Sequence, residues 1–109
     1  MDTSFLDDLC ARKPEKAAQF AKLTLADIDM RLPPLKAALE AGNAGEAVEY
    51  AHAMKSVAGQ AGAADFSETC KRIEGLCRDG KAEEAGALIG DLYAGYDEIK
   101  DILRRYIDI

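Results

Sequence analysis

The sequence predicts an all-α fold: an up-down four-helix bundle with a short additional N-terminal helix. Three observations carry this prediction. Ala, Leu, Glu, Asp and Lys dominate the composition and Trp is absent. No segment alternates apolar and polar residues as a half-buried strand does. Apolar residues recur at helical spacing in segments joined by short loops, which makes neighbouring helices antiparallel. The 109 residues form one domain, 1–109, with the N-terminal helix over about 3–12 and the bundle over about 15–106.

The N-terminal helix is short and amphipathic. Phe5, Leu6 and Leu9 form its apolar side. Thr3 or Ser4 is placed to cap its first turn, where acidic residues interact favourably with the helix dipole.

A long second helix follows, because Pro14 suits a first helical turn and no Gly occurs between it and Ala41. Its predicted buried stripe contains Ala18, Ala21, Leu25, Ile28, Leu32, Leu35 and Leu39. The stripe keeps its phase through Pro33-Pro34, where each proline removes a donor, so we expect a kink or a brief break there. A second apolar strip, covered by the N-terminal helix or by a partner, consists of Phe20, Leu23 and Met30.

Gly42-Asn43 ends the long helix, and the spacing of Asn43 and Glu46 is that of a capping box at the start of the third. The third helix runs to about residue 60 and is closed by Gly62.

The last two helices are bounded by similar signals. Asp65 and Glu68 indicate the start of a fourth helix over about 66–78, and Asp79-Gly80 is a turn. The final helix spans about 82–106, with glycines that indicate either close packing or a marginal helix. Its predicted stripe contains Ala85, Leu88, Leu92, Tyr96, Ile99, Leu103 and Tyr106.

Charge and composition exclude several classes of protein. A net charge of -6 argues against a general binder of nucleic acid or anionic membranes. No apolar run approaches the roughly 20 residues that span a bilayer, and the acidic N-terminus does not resemble a signal peptide, so we expect a cytoplasmic protein. Cys10, Cys70 and Cys77 lack the spacing of a zinc site and are interpreted as reduced residues, Cys70 and Cys77 within the core.

The segment YAHAMKSVAGQAG, residues 50–62, contains the only histidine of the sequence. At about 100° per residue, one helix face carries Gly45, Val48, His52, Lys55, Ser56 and Gly59. The opposite face carries Tyr50, Met54, Val57 and Ala61 and is expected to point into the core. His52 therefore faces outward among small residues.

Three familiar sites are poor explanations of this histidine. Glu49 and His52 have the Glu-x-x-His spacing of di-iron bundles, but such a site needs the motif on two helices and the chain has one histidine. No nucleophile elbow supports a hydrolase triad. No Walker or Rossmann glycine loop is present, so we expect no ATP site in this chain.

Phosphoryl chemistry suits the segment better. A neutral imidazole can attack phosphorus, and Lys55 one turn away can stabilise charge on the equatorial oxygens. Ser56 and Gly59 leave the approach open, and Val48 is placed to help dock a partner. If the fourth helix turns one side to this helix, Glu74 can accept from Nδ1 of the imidazole and leave Nε2 as the nucleophile. Arg78, four residues on, can then pair with Glu74 or add positive potential.

AHAMKSVAGQAGA followed by FSETCKRIEGLCRDG resembles the histidine-containing phosphotransfer (HPt) domain of multistep phosphorelays. The family pattern is A-H-x-L-K-[GS]-x-x-x-x-x-G, followed by an apolar residue and a second helix that ends near L-E. The matching positions are Ala51, His52, Met54, Lys55, Ser56, Gly62, Phe66, Ile73 and Glu74. The resemblance extends over about residues 15–105 and implies a four-helix bundle.

The resemblance also implies roles. His52 would carry the phosphoryl group and Lys55 would lie beside it. Gly59 would leave space for docking, and Gly62 would form the turn after the histidine helix. Ser56 stands where Gly is commoner. Glu74 lies where relay members often have Gln and chemotaxis kinases have Glu.

The predicted function is a phosphorelay carrier without its own ATP site. His52 accepts a phosphoryl group from the aspartate of a receiver domain and passes it to another receiver. The expected partners are response-regulator receivers and a hybrid histidine kinase, with Mg²⁺ on the receiver and no cofactor or metal on this chain. Two alternatives stay open: a phosphoacceptor served directly by a histidine-kinase ATP domain, and a non-catalytic adaptor that binds a receiver.

Overall fold

The computed structural model describes residues 1–107, which fold into six helices. In chain order they are α1 (Ser4–Arg12), α2 (Pro14–Glu40), α3 (Ala44–Gln60), α4 (Ala64–Arg78), α5 (Ala82–Gly86) and α6 (Ile89–Ile107). The long helices α2, α3, α4 and α6 form the bundle, and α1 packs against α2. The molecule measures 45 × 19 × 19 Å along its principal axes. The predicted all-α bundle with an additional N-terminal helix is confirmed.

The side chains that α3 buries in the core are smaller than the sequence predicted. Met54 and Ala61 are buried as expected, but Tyr50 and Val57 are half-buried at the flank. The buried positions inside α3 are Ala47, Ala51, Met54 and Ala58. Three alanines allow the backbone of α3 to lie close to its neighbours, because packed helices approach according to the side chains at their contact.

The predicted stripe of α2 is mostly correct. Ala21, Ile28, Leu32, Leu35 and Leu39 are buried, whereas Ala18 and Leu25 are half-buried. Thr24 is buried instead, and its hydroxyl donates to the carbonyl of Phe20 at 2.9 Å, which satisfies the polar group inside the helix. The helix continues through Pro33 and Pro34 without the brief break that was one of our expectations.

The turn after α3 is held by close backbone contact. Gly62 has a φ of +87°, which side chains rarely tolerate, and a Cβ there would overlap the carbonyl of Asp2. The amide of Asp2 donates to the carbonyl of Gly62 at 2.8 Å. At the other end of α3, the predicted cap is confirmed, since Asn43 Oδ1 accepts from the amide of Glu46 at 3.2 Å. The α3 helix is therefore fixed at both ends.

Two predicted boundaries are wrong. The fourth helix begins at Ala64, two residues earlier than expected, so Asp65 lies within the first turn and does not cap the helix. The N-cap residue is Ala63, whose side chain has no hydrogen-bond acceptor. The single final helix is divided into α5 and α6, because the amides of Ala87 and Leu88 bond three residues back, to Glu84 and Ala85, instead of four.

The glycines of this C-terminal region have different surroundings. A Cβ at Gly95 would lie 3.3 Å from the ring of Phe66, so Gly95 allows α6 to approach α4 closely. Gly86 and Gly90 have open space around them and flank the break, where a residue of low helix propensity weakens the helix.

The N-terminal helix covers the second apolar strip of α2 only in part. Leu6 of α1 is buried, and the rings of Phe5 and Phe20 meet edge to face with centroids 5.4 Å apart. Leu23 and Met30 remain exposed at 63% and 61%. Neither Thr3 nor Ser4 caps the helix through its side chain; Asp2 accepts from the Ser4 amide at 2.9 Å instead.

Candidate functional site

His52 lies on the seam between α3 and α4 and faces solvent. Its side chain is 59% exposed, and α4 packs against the same side of α3. Small or flexible residues surround it on α3: Ser56 one turn later and Gly59 two turns later are both exposed. The imidazole is therefore open to another macromolecule, as predicted from the helical spacing.

Three cationic or potentially cationic groups converge on the carboxylate of Glu74. The imidazole Nδ1 of His52 lies 2.9 Å from Oε2, and the guanidinium of Arg78 donates to the same oxygen at 2.9 Å. The ammonium of Lys55 donates to Oε1 at 2.8 Å. Both oxygens are thus occupied, and the two helices are joined through one side chain.

The side chain of Glu74 is only 8% exposed, although it lies at the flank of α4. The sequence could not reveal this, since a glutamate on a helix flank is usually solvated. The hydrogen bond from Lys55 is the main cause that lowers the pKa of the Glu74 carboxyl from 4.5 to about 2, and His52 and Arg78 lower it further against the opposing effect of burial. The group is ionised throughout the physiological range.

An ionised carboxylate only accepts hydrogen bonds, so the contact with Nδ1 requires a proton on that nitrogen. In neutral His52 the lone pair then lies on Nε2, the nitrogen that Glu74 does not contact. The arrangement therefore orients the ring, selects one tautomer and leaves a nucleophilic nitrogen available at the surface.

Lys55 is brought to the site through Glu74. Its ammonium donates to Oε1 of the same carboxylate whose Oε2 lies 2.9 Å from Nδ1 of His52. Two further N–H groups of an ammonium remain for other acceptors, because the group has three donors.

A second contact between α3 and α4 was not predicted. The hydroxyl of Ser67 donates to the backbone carbonyl of Lys55 at 2.9 Å. A Cβ at Gly59 would lie 3.5 Å from the same hydroxyl, which is ordinary contact. Gly59 therefore lies at the helix seam, two turns from His52, and its small size is not required by the fold. The placement of Ser67 seven residues before Glu74, on the same helix face, was the available signal.

The remaining predicted site residues are placed as follows. Val48, one turn before His52, is half-buried and packs against the core, so it is less available for docking than predicted. Arg78 reaches Glu74 as one of the two expected alternatives. Gly62 forms the turn after α3 and lies away from the imidazole.

A cavity of about 150 Å³ lies away from His52, at the other end of α3, beside Asp2, Gly62 and Phe66. Within residues 1–107 no cluster of acidic, histidine or cysteine side chains is arranged to hold a metal ion. None of the helices in that range has the length and apolar character needed to cross a membrane.

Comparisons with known proteins identify a family for this chain. A family model, the Hpt domain, matches residues 19–107. The chain is also similar to the crystal structure of histidine-containing phosphotransfer protein B (HptB) from Pseudomonas aeruginosa PAO1, with 25% sequence identity and a TM-score of 0.90. That match covers 99% of this chain and 94% of the other. A comparison with curated proteins finds no match.

Proposed function

Because the chain belongs to the Hpt domain family, whose members transfer phosphoryl groups through histidine in phosphorelays, we propose that His52 is the phosphoryl carrier and that its donors and acceptors are receiver domains. One observation carries the proposal: the Nδ1 of His52 lies 2.9 Å from a buried, ionised Glu74, which directs the lone pair of Nε2 to the surface. The exposed position of the ring suits a protein donor better than a small molecule, which would need an enclosing pocket.

The transfer step follows from this geometry. The Nε2 lone pair attacks the phosphorus of an aspartyl phosphate, a P–N bond forms, and the P–O bond to the aspartate breaks with its electron pair leaving on the carboxylate. The ring retains its Nδ1 proton and gains positive charge, which the adjacent Glu74 carboxylate stabilises. The reverse sequence, with attack by the aspartate of a second receiver, returns His52 to its neutral form.

The cationic side chains that bind Glu74 also interact with the phosphoryl group during the transfer. Lys55, Arg78 and His52 all bind the carboxylate of Glu74, which brings both cations near the imidazole. Charge on the transferring phosphoryl oxygens attracts both, so we propose that Lys55 moves from Glu74 to the phosphoryl group. Mg²⁺ is expected at the receiver and no cofactor on this chain.

A second candidate function uses the same hydrogen bond. Glu74 also prepares His52 for direct phosphorylation by the ATP domain of a histidine kinase, because the tautomer needed to attack a γ-phosphate is the same. The two functions differ in the donor that the exposed face of α3 and α4 accepts. In either case this chain acts as a carrier.

The test is transfer of labelled phosphate from a panel of phosphorylated receiver domains to the wild type and to His52→Gln, with a histidine-kinase ATP domain and ATP as a separate donor. We expect an acid-labile, base-stable label on the wild type from at least one receiver and none on the variant. Labelling of His52→Gln would refute the assignment of the carrier. Labelling of the wild type by the kinase domain alone would favour the second function.

A further inference from the structure

Ser56, one helical turn after His52, carries a hydroxyl without a partner. A serine or threonine inside a helix commonly satisfies its hydroxyl with a backbone carbonyl. The other such side chains of the long helices donate to carbonyls at 2.9, 2.9 and 3.1 Å, in the order Thr24, Ser67 and Thr69. Ser56 is exposed, and its hydroxyl makes no hydrogen bond within the described part of the chain. Its donor is therefore available to a group that the free chain does not contain.

Ser56 lies on the side of His52 that faces away from α4. At about 100° per residue, the positions three and four after a residue fall on opposite sides of it around a helix. Lys55 takes the side towards α4, where its ammonium donates to Glu74, so Ser56 takes the other side. Because helical side chains lean towards the N-terminus, the side chain of Ser56 is directed back over the turn that carries His52.

The nitrogen that would carry the phosphoryl group is turned away from α4 as well. Nδ1 of His52 lies 2.9 Å from Oε2 of Glu74, so the other ring nitrogen, Nε2, is directed away from that helix. Residues four apart on a helix have Cβ atoms about 5–6 Å apart, which is within reach of phosphoryl oxygens extending from Nε2. Lys55 and Ser56 therefore flank the position of the phosphoryl group on opposite sides.

We propose that the Ser56 hydroxyl donates a hydrogen bond to the phosphoryl group on Nε2 of His52 and thereby lengthens the life of the phosphohistidine. The inference rests on the proposed function, in which His52 is the carrier. Phosphoryl oxygens are strong acceptors, and a hydrogen bond to a charged acceptor is stronger than one between neutral groups. Glycine, which is commoner at this position of HPt domains, has no donor to offer, so the bond would be a property of this chain.

The hydrogen bond opposes loss of the phosphoryl group to water. In hydrolysis the P–N bond breaks and its electron pair returns to Nε2, while the water oxygen bonds to phosphorus and both water protons leave with the inorganic phosphate. The phosphorus moves away from the ring in this step. The short side chain of Ser56 cannot follow it, whereas the flexible side chain of Lys55 can. A bond made in the phosphohistidine and weakened in the transition state raises the barrier to hydrolysis.

The experiment measures how fast the isolated phosphoprotein loses its phosphoryl group. The chain is phosphorylated with potassium phosphoramidate, a small phosphoryl donor, and freed from it. Loss is followed by ³¹P nuclear magnetic resonance at about pH 8, where the phosphoryl group is dianionic. Ser56→Ala and Ser56→Gly should both lose phosphate about three- to tenfold faster than the wild type, because a hydrogen bond to a charged group is missing. Ser56→Thr keeps a hydroxyl and should stay within about twofold of the wild-type rate.

These variants separate the hydroxyl from the size of the side chain and from helix stability. Alanine retains the Cβ and is a better helix former than serine, so a weakened helix cannot explain faster loss from Ser56→Ala. If space alone mattered, Ser56→Ala would behave as the wild type and only Ser56→Gly would differ. Thr69→Ala is the matched control, because it removes a hydroxyl that is bound to the Asp65 carbonyl on α4. Its rate of loss should equal that of the wild type.

The outcomes separate this inference from the proposed function, because phosphoramidate needs no receiver. Equal rates of loss from the wild type and Ser56→Ala would overturn the hydrogen bond alone, as would a rate for Ser56→Thr as fast as that of Ser56→Ala. Labelling by phosphoramidate but by no receiver domain would count against the proposed function, and the comparison at Ser56 would still decide the hydrogen bond. The chain has a single histidine, so equal labelling of His52→Gln and the wild type would overturn both.

Discussion

Replacing Glu74 by glutamine tests how the site is held together. Glutamine keeps the size of the side chain and one carbonyl acceptor but removes the negative charge that binds Lys55, Arg78 and His52. We expect the fold to persist, because the lost ion pairs lie at the α3–α4 seam and not among the apolar residues of the core. We also expect stability to fall, because three groups lose their shared acceptor.

The shift in the Glu74 pKa sets the size of the effect. A pKa lowered from 4.5 to about 2 corresponds to roughly 3 kcal/mol of preference for the ionised form in the folded state. This value is a ceiling, because His52 and Arg78 are well solvated and water screens their attraction. We therefore expect Glu74→Gln to lower the free energy of unfolding by about 1–2 kcal/mol at pH 7.

The same shift gives the expected pH dependence. The folded pKa lies below the unfolded one, so the stabilisation is complete above the unfolded value of 4.5 and is lost as pH falls towards about 2. Glutamine does not titrate, so the difference in stability between wild type and variant should shrink over that range. Subtracting the two curves removes the contribution of Asp7, whose pKa is lowered by a hydrogen bond from Tyr106.

The assay is urea unfolding followed by circular dichroism at several pH values, with Glu68→Gln as the control. Glu68 is an exposed carboxylate on the same helix with no ion pair among the described residues. Its replacement should change the free energy of unfolding by less than about 0.5 kcal/mol. A stability difference between the wild type and Glu74→Gln that stays constant from pH 5 to pH 2 would refute the reasoning.

Three further expectations concern other parts of the chain. Gly62→Ala should lower the free energy of unfolding by about 2 kcal/mol, because of the positive φ and the nearby Asp2 carbonyl, while Gly59→Ala should raise it slightly. Similar effects of the two substitutions in urea unfolding would contradict the geometry. Burial raises the pKa of the Cys70 thiol to about 12, so mass spectrometry after alkylation of the folded protein should find Cys10 modified first. Rapid modification of Cys70 would be inconsistent with its burial. Lys55→Ala should slow phosphoryl uptake about tenfold with an unchanged circular dichroism spectrum, and an unchanged rate would exclude Lys55 from the transfer step.

The fold was largely predictable because its signals are local. Helical spacing of apolar residues, the Asn43 cap and the turn at Gly62 are each determined by a few consecutive residues. The cap and the turn are confirmed, and most of the predicted stripe residues are buried. The division of the last helix was missed for the opposite reason. The apolar stripe continues in phase from Ala85 to Leu92, so periodicity alone does not reveal a backbone that changes its hydrogen bonding between them.

The sequence indicated which residues could belong to the site better than it indicated how they are arranged. The outward face of His52 follows from its own helix, but the burial of Glu74 depends on how α3 and α4 are aligned, which no local pattern specifies. The same alignment determines that Lys55 binds Glu74 and that Ser67 reaches the Lys55 carbonyl. These contacts join residues 12 to 22 positions apart, so they depend on the tertiary structure.

The central claim is that Nε2 of His52 carries the phosphoryl group while Nδ1 remains bonded to Glu74. The most direct test is combined ³¹P and ¹⁵N nuclear magnetic resonance of the ¹⁵N-histidine-labelled protein after phosphorylation by a receiver domain. We predict a single phosphorylated residue with the phosphorus coupled to Nε2 of His52. Phosphorus on Nδ1, or on any other residue, would contradict the account.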